Sequence, residues 1–141
     1  MLKVFLTIFV SCFLGFSSAT FADEIADKMQ FQEIISNQVA AFNNDDGTTA
    51  YSFAAPVVKK FFPNKDVFIA MVKQGYPQVY RAKSLTFGET FTDNFGRATQ
   101  RVTLVGPDGR RYEALYAMEK QPDGIWKIAA CTVLEIPGVN A

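Results

Sequence analysis

The sequence predicts an α+β domain in which three N-terminal helices pack on a four-stranded antiparallel meander. Three observations carry that prediction. Apolar residues recur at helical spacing up to about residue 74. Beyond that point the pattern alternates with period two. Two Pro-Asp-Gly turns, in "GPDG" and "QPDG", join the last three alternating runs. A chain of 141 residues, 49% hydrophobic and 20% charged, can bury one core but not two, and this composition argues against disorder.

The chain opens with "MLKVFLTIFVSCFLGFSSATFADE". One lysine, an apolar run over residues 4–16 and then small residues form the layout of a secretory signal peptide. Cleavage is expected after Ala22, with Ala19 as the alternative. The apolar run is too short for a comfortable membrane span, and Cys12 reads as part of the leader. Residues 23–141 then form a single α+β domain, periplasmic or secreted, with no stable membrane insertion after cleavage.

From Asp23 to about Asn43, Ile25, Phe31, Ile34, Ile35, Val39 and Phe42 mark the first and longest helix. Tyr51, Ala54, Ala55, Val58, Phe61 and Phe62 resume the helical spacing around Pro56, which fits a first turn and breaks an interior. The spacing therefore predicts two short turns, about 47–54 and 56–62, with a kink between them. Asn64 can cap a further helix over about 65–74, with Val67, Phe68, Met71 and Val72 on one side and Gly75 as its stop. "QGYPQVYR" reads as a rigid connector, extended before Pro77, where the bond has a raised chance of being cis. Its alternative role is a pocket rim built from Tyr76 and Tyr80. "SLTFGETF", "ATQRVTLV", "RRYEALYAME" and "GIWKIAACTVLEI" are the four strands.

Several chemistries are excluded or left without support. Removing residues 1–22 takes away Lys3 and no acid, which leaves 13 basic and 14 acidic residues, a net charge of −1. Such a surface has no electrostatic footprint for nucleic acid. The sequence contains no histidine, which rules out Ser-His-Asp and Cys-His catalysis in their usual forms. One remaining cysteine, Cys131, cannot form an internal disulfide or supply the common zinc ligand sets. No metal or cofactor is expected. Cys131 reads as a small buried hydrophobe.

The runs "QVAAFNNDDGTTAYSFAAP", "FIAMVKQGYPQVYR" and "VTLVGPDGRRYEALYAMEKQPDGIWKIAAC", in that order over about residues 28–137, resemble the domain of unknown function family 4864, a group of small bacterial exported proteins. The resemblance implies a nuclear transport factor 2-like (cystatin-like) fold, in which helices lie in the hollow of a strongly bent sheet and form a cone. It implies no reaction, because fold alone does not carry function.

A cone invites a pocket. Tyr112, Ala114, Tyr116 and Met118 should share one face of the third strand, Trp126, Ile128, Ala130 and Thr132 one face of the fourth, and Gln100, Val102 and Leu104 one face of the second. The expected ligand-binding set is Tyr51, Phe68, Met71, Gln100, Tyr112, Tyr116 and Trp126, holding a small apolar or amphipathic molecule, with Tyr51, Gln100 and Tyr116 as polar handles. The plainer alternative is a filled core with each tyrosine hydroxyl near its rim. An isomerase- or dehydratase-like enzyme is a second alternative, since the resemblance implies a fold that hosts such enzymes. Glu89, on the face expected for Leu85, Phe87 and Phe91, is the one strand acid expected to point inward and serve as a base. The third alternative is an interaction module. Leu115, Ala117, Ala129, Cys131 and Val133 should form an apolar band on the outer face, covered by a second copy, by the tail "IPGVNA" or by the start of the first helix.

The corner "AFNNDDG" carries two adjacent acids. A calcium loop needs acids at alternate positions and a later bidentate glutamate, which this stretch lacks. Asp46 therefore reads as the N-cap of the second helix, with Gly47 easing the turn and Asp45 capping or solvated.

Overall fold

A computed structural model describes residues 18–140, with side chains described for residues 20–138. The apolar run of the expected leader, with Cys12, lies outside the described residues. Five helical segments precede four strands: α1 (Ser18–Asn43), α2 (Gly47–Ser52), α3 (Pro56–Phe61), α4 (Lys65–Gly75), α5 (Pro77–Tyr80), β1 (Ser84–Thr92), β2 (Ala98–Val105), β3 (Arg110–Lys120) and β4 (Trp126–Asn140). The strands form one antiparallel sheet in the order β1-β2-β3-β4. The helices cover one of its faces, so the α+β meander read from the sequence is the observed fold.

Both expected acidic-corner roles resolve into backbone geometry. Asp45 stands at φ 55°, the left-handed position that closes a helix. Asp46 N donates to Ala41 O at 2.8 Å and Asp45 N to Phe42 O at 3.1 Å, the paired bonds of a Schellman stop. Aspartate tolerates this conformation better than most residues. Asp46 then caps α2, its carboxylate accepting from Thr49 N at 3.1 Å. Gly47 lies close against α4, where a Cβ would stand 3.0 Å from Ile69 Cγ1 and press that side chain aside.

On α1, Phe31, Ile35, Val39 and Phe42 are buried at four- and three-residue steps, which lays one stripe of the helix on the sheet. The preceding Phe21, Ile25 and Met29 are exposed. The connector before β1 is not wholly extended. Pro77 starts a single helical turn, α5, as its fixed φ suits, and no cis bond occurs among the described residues.

Each hairpin closes as the Pro-Asp-Gly signals predict. Gly109 N donates to Gly106 O at 3.0 Å and Gly124 N to Gln121 O at 2.9 Å, with both third-position glycines at positive φ.

Two β-bulges change the faces expected from strict alternation. Phe87 pairs with Val102 and Thr90 with Gln100, so Gly88 and Glu89 together oppose Arg101. After this bulge Thr90 turns inward, and Glu89 lies on the outer face, paired with Arg101 at 3.1 Å. The expectation of an inward Glu89 is therefore corrected. In β4, Ile128 pairs with Met118 but Ala130 with Ala117, leaving Ala129 as the extra residue. Cys131 then pairs with Tyr116 and Val133 with Ala114, both inner-face residues. The expected outer band is corrected accordingly: Leu115 and Ala117 lie on the outer face, Cys131 and Val133 on the helix side, and Ala130 and Thr132 face outward. The tail does not fold over this face, because "IPGVN" continues β4.

Candidate functional site

The site begins with one long-range pairing. Residues 53–55 lie beside the free edge of β4, where Ile128 N donates to Phe53 O and Ala55 N to Ile128 O, both at 2.8 Å. This bridge places Pro56 so that α3 starts against β4. Pro56 occupies the first turn, where its missing N–H costs nothing. From there α3 presents Val57, Val58 and Phe61 toward the bulge, where Ile128 to Cys131 all contribute to one wall.

Between these elements lies a cavity of about 300 Å³. Gln38 and Phe42 of α1, Phe68, Met71 and Val72 of α4, Val79 of α5 and Tyr116 of β3 complete its walls, with Phe62 and Tyr76 from the connections. Among the described residues, no acidic or basic side chain lines it. At its edge, Phe61 is 73% and Val57 42% exposed. A phenylalanine so exposed beside a cavity contributes little to folding and marks an apolar mouth.

The polar groups of the wall are few. Gln38 donates to Ala50 O at 3.1 Å and so ties α1 to α2. The Tyr116 hydroxyl is buried with no oxygen or nitrogen partner, and the Cys131 thiol beside it is a weak one. Burial, reinforced by the neighbouring Cys131 thiol, pushes the Tyr116 phenol well above its ordinary value. Burial also pushes the Cys131 thiol up to about 12, against a smaller opposing effect of the Tyr116 hydroxyl. Both groups therefore stay protonated at neutral pH.

Of the residues expected from sequence to bind a ligand, Phe68, Met71 and Tyr116 line the cavity. The other four hold the fold around it. The Tyr51 hydroxyl donates to Phe62 O at 2.5 Å, while its ring packs on Phe68 at 5.4 Å. Gln100 is fully buried and fills the β1 bulge. Its amide donates to Gly88 O at 3.0 Å, Glu89 O at 3.3 Å and Arg101 O at 2.8 Å, and its oxygen accepts from Thr90 Oγ1 at 2.8 Å. Tyr112 donates to Asp108 at 2.5 Å in the hairpin turn. Trp126 donates to Asp27 at 2.9 Å and meets Phe31 edge-on at 4.8 Å, which fixes α1 to β4.

Of the two tyrosines read as a rim, Tyr76 lines the cavity and Tyr80 does not. The Tyr80 hydroxyl donates to Asp45 at 2.7 Å. Arg81 donates to Asp45 and to Phe42 O, each at 2.7 Å, and lies over the Tyr80 ring. The Tyr80 hydroxyl first, then Arg81, holds the Asp45 carboxyl below its usual value. Thus a residue that resembled a chemical site closes α1. Among the described residues, no group of three or more His, Cys, Asp or Glu is placed to hold a metal ion, and no helix is long and apolar enough to cross a membrane.

The α3 residues and, on β4, Ala129 and Cys131 were missed because they depend on the bridge at Ile128 and the bulge at Ala129. The exposed apolar pair Val57 and Phe61, directly after a helix-starting proline, is the sequence signal that could have found one wall.

The class defined by fold and site is a small α+β protein whose helices cover one face of an open four-stranded sheet, with an uncharged apolar cavity between the layers. This arrangement is compatible with a nuclear transport factor 2-like fold. The chain belongs to the family described as a domain of unknown function, family 4864, whose model matches residues 24–141. No curated protein and no solved structure matches it.

Proposed function

We propose that the domain is an exported binding module that holds a small apolar or amphipathic molecule in the cavity between α3, α4 and β4. The observation that carries this reading is the cavity itself: about 300 Å³, with no charged group in its wall among the described residues and exposed Phe61 and Val57 at its edge. Sites of this volume and polarity suit small ligands. Export rests on the leader pattern of residues 1–22, and the destination is the periplasm or the exterior.

The geometry favours binding over turnover. Among the described residues no carboxylate lines the cavity, and Glu89, the expected base, pairs with Arg101 on the opposite sheet face. Of the five residues of the dimer reading, Leu115 and Ala117 stay on the outer face while Cys131 and Val133 turn to the helix side, and Arg101 also pairs with Glu113 on the outer face. Native mass spectrometry of protein purified from its own source tests the proposal. A retained small molecule, released on denaturation, is the expected result. Ligand-free protein that also takes up no apolar compound opposes it.

A further inference from the structure

We infer that the mouth of the cavity is a docking surface for an anionic lipid bilayer, which Val57 and Phe61 of α3 enter and the lysines around them hold. Charge is unevenly spread along the chain. Residues 47–83, which form α2 to α5 and the approach to β1, carry six basic residues, Lys59, Lys60, Lys65, Lys73, Arg81 and Lys83, against one acid, Asp66. The whole chain balances 14 basic against 14 acidic residues, so its other segments carry a matching excess of acid. Among the described residues, only Arg81 of these six makes an ion pair. On α3, Val57 and Phe61 stand one turn apart, and Lys60 neighbours Val57 at the three-residue step. Lys59 lies across Tyr51, its Nζ 4.9 Å from the ring centroid. Val57, Phe61 and Val67 are all exposed, and Val67 stands one turn of α4 before Met71, which lines the cavity. Exposed apolar side chains flanked by lysines suit an anionic membrane surface. The apolar groups enter the acyl boundary while the ammonium groups meet lipid phosphates. Charge decides against the other exposed apolar residues. Phe21, Ile25 and Met29 of α1 are interspersed with Asp23, Glu24 and Asp27, which an anionic surface repels. Phe95 stands between Asp93 and Arg97, which pair with each other. An apolar molecule partitions from water into a bilayer, so a mouth on the docking face gives the cavity direct access to it. That last link alone rests on the binding reading above.

Vesicle flotation of the processed protein, purified from its own source, tests the inference. The vesicles are phosphatidylcholine alone or phosphatidylcholine with about one-third phosphatidylglycerol. The protein should float with the anionic vesicles and stay behind with the neutral ones. Raising salt from about 0.1 M to about 1 M shortens electrostatic reach from about 10 Å to about 3 Å and should release it. Each lysine near such a surface is worth about fivefold in binding, so the double variant Lys59→Gln, Lys60→Gln should bind roughly 25-fold more weakly. Phe61→Ser should weaken binding at least about tenfold with Tm unchanged, because the side chain is already exposed. Absence of flotation with anionic vesicles overturns the inference, as does equal flotation with neutral ones. Flotation indifferent to the lysine changes overturns it too. Salt-sensitive flotation indifferent to Phe61→Ser marks a surface for soluble polyanions such as nucleic acid, and also overturns it. A parallel titration with the neutral fluorophore N-phenyl-1-naphthylamine, without vesicles, separates this inference from the binding reading. Uptake without flotation overturns the docking surface and leaves the binding reading intact. Flotation with the expected variant losses but without uptake supports the docking surface and overturns the binding reading.

Discussion

Cys131 and Asp45 show how surroundings rather than residue type set reactivity in this chain. With its thiol pushed up to about 12, Cys131 holds almost no thiolate at pH 8. Iodoacetamide should therefore modify the folded protein at least about a hundredfold more slowly than the unfolded chain, as followed by mass spectrometry. Rapid labelling under native conditions would contradict a thiol raised so far beside Tyr116. For Asp45 the folded pKa is lowered, chiefly by the Tyr80 hydroxyl and next by Arg81. Its stabilising contribution is thus complete above the unfolded value near 3.9 and is lost as pH falls through the lower folded value. Asn tolerates the same left-handed backbone, so Asp45→Asn isolates the charge. Its Tm should fall below that of the unaltered protein at pH 7, and the gap should close in acid. A gap independent of pH would mean the carboxylate charge is idle.

At the scale of elements, caps and bulges decide what alternation alone does not. Asp46→Ala removes the acceptor for Thr49 N and should cost about 1 kcal/mol in denaturant unfolding. Gln100→Leu keeps the volume but strands the carbonyls of Gly88 and Glu89, and should cost about 1–3 kcal/mol. Neutrality of that variant would deny Gln100 its place in the bulge. The helices, four strands and Pro-Asp-Gly turns were legible because each follows from local spacing and turn chemistry. The faces of β1 and β4 were legible only up to their bulges. Gly88 inside a strand gave a faint warning of the first. Ala129, within a uniform apolar run, gave none, since its position follows from pairing between distant residues. One extra residue was enough to move Glu89 in one case, and Cys131 with Val133 in the other, to the opposite side of the sheet.

Over the whole molecule, the cavity exists because residues 53–55 pair with the edge of β4 and hold α3 against it. That contact joins residues more than seventy positions apart, which explains why the sequence pointed to Phe68, Met71 and Tyr116 but not to Val57, Phe61 or Cys131. The tyrosines and Gln100 chosen as polar handles were legible as inward-facing residues. Their hydrogen bonds were not, and those bonds commit Tyr51, Gln100 and Tyr112 to structure. The central claim is that this cavity takes up a small apolar molecule. A fluorescence titration with N-phenyl-1-naphthylamine, comparing the unaltered protein with Val58→Trp, tests it most directly. The account predicts saturable one-to-one binding to the unaltered protein and at least about tenfold weaker binding to the folded variant, whose indole occupies the cavity. Equal binding by the two proteins, or no saturable binding to either, would contradict it.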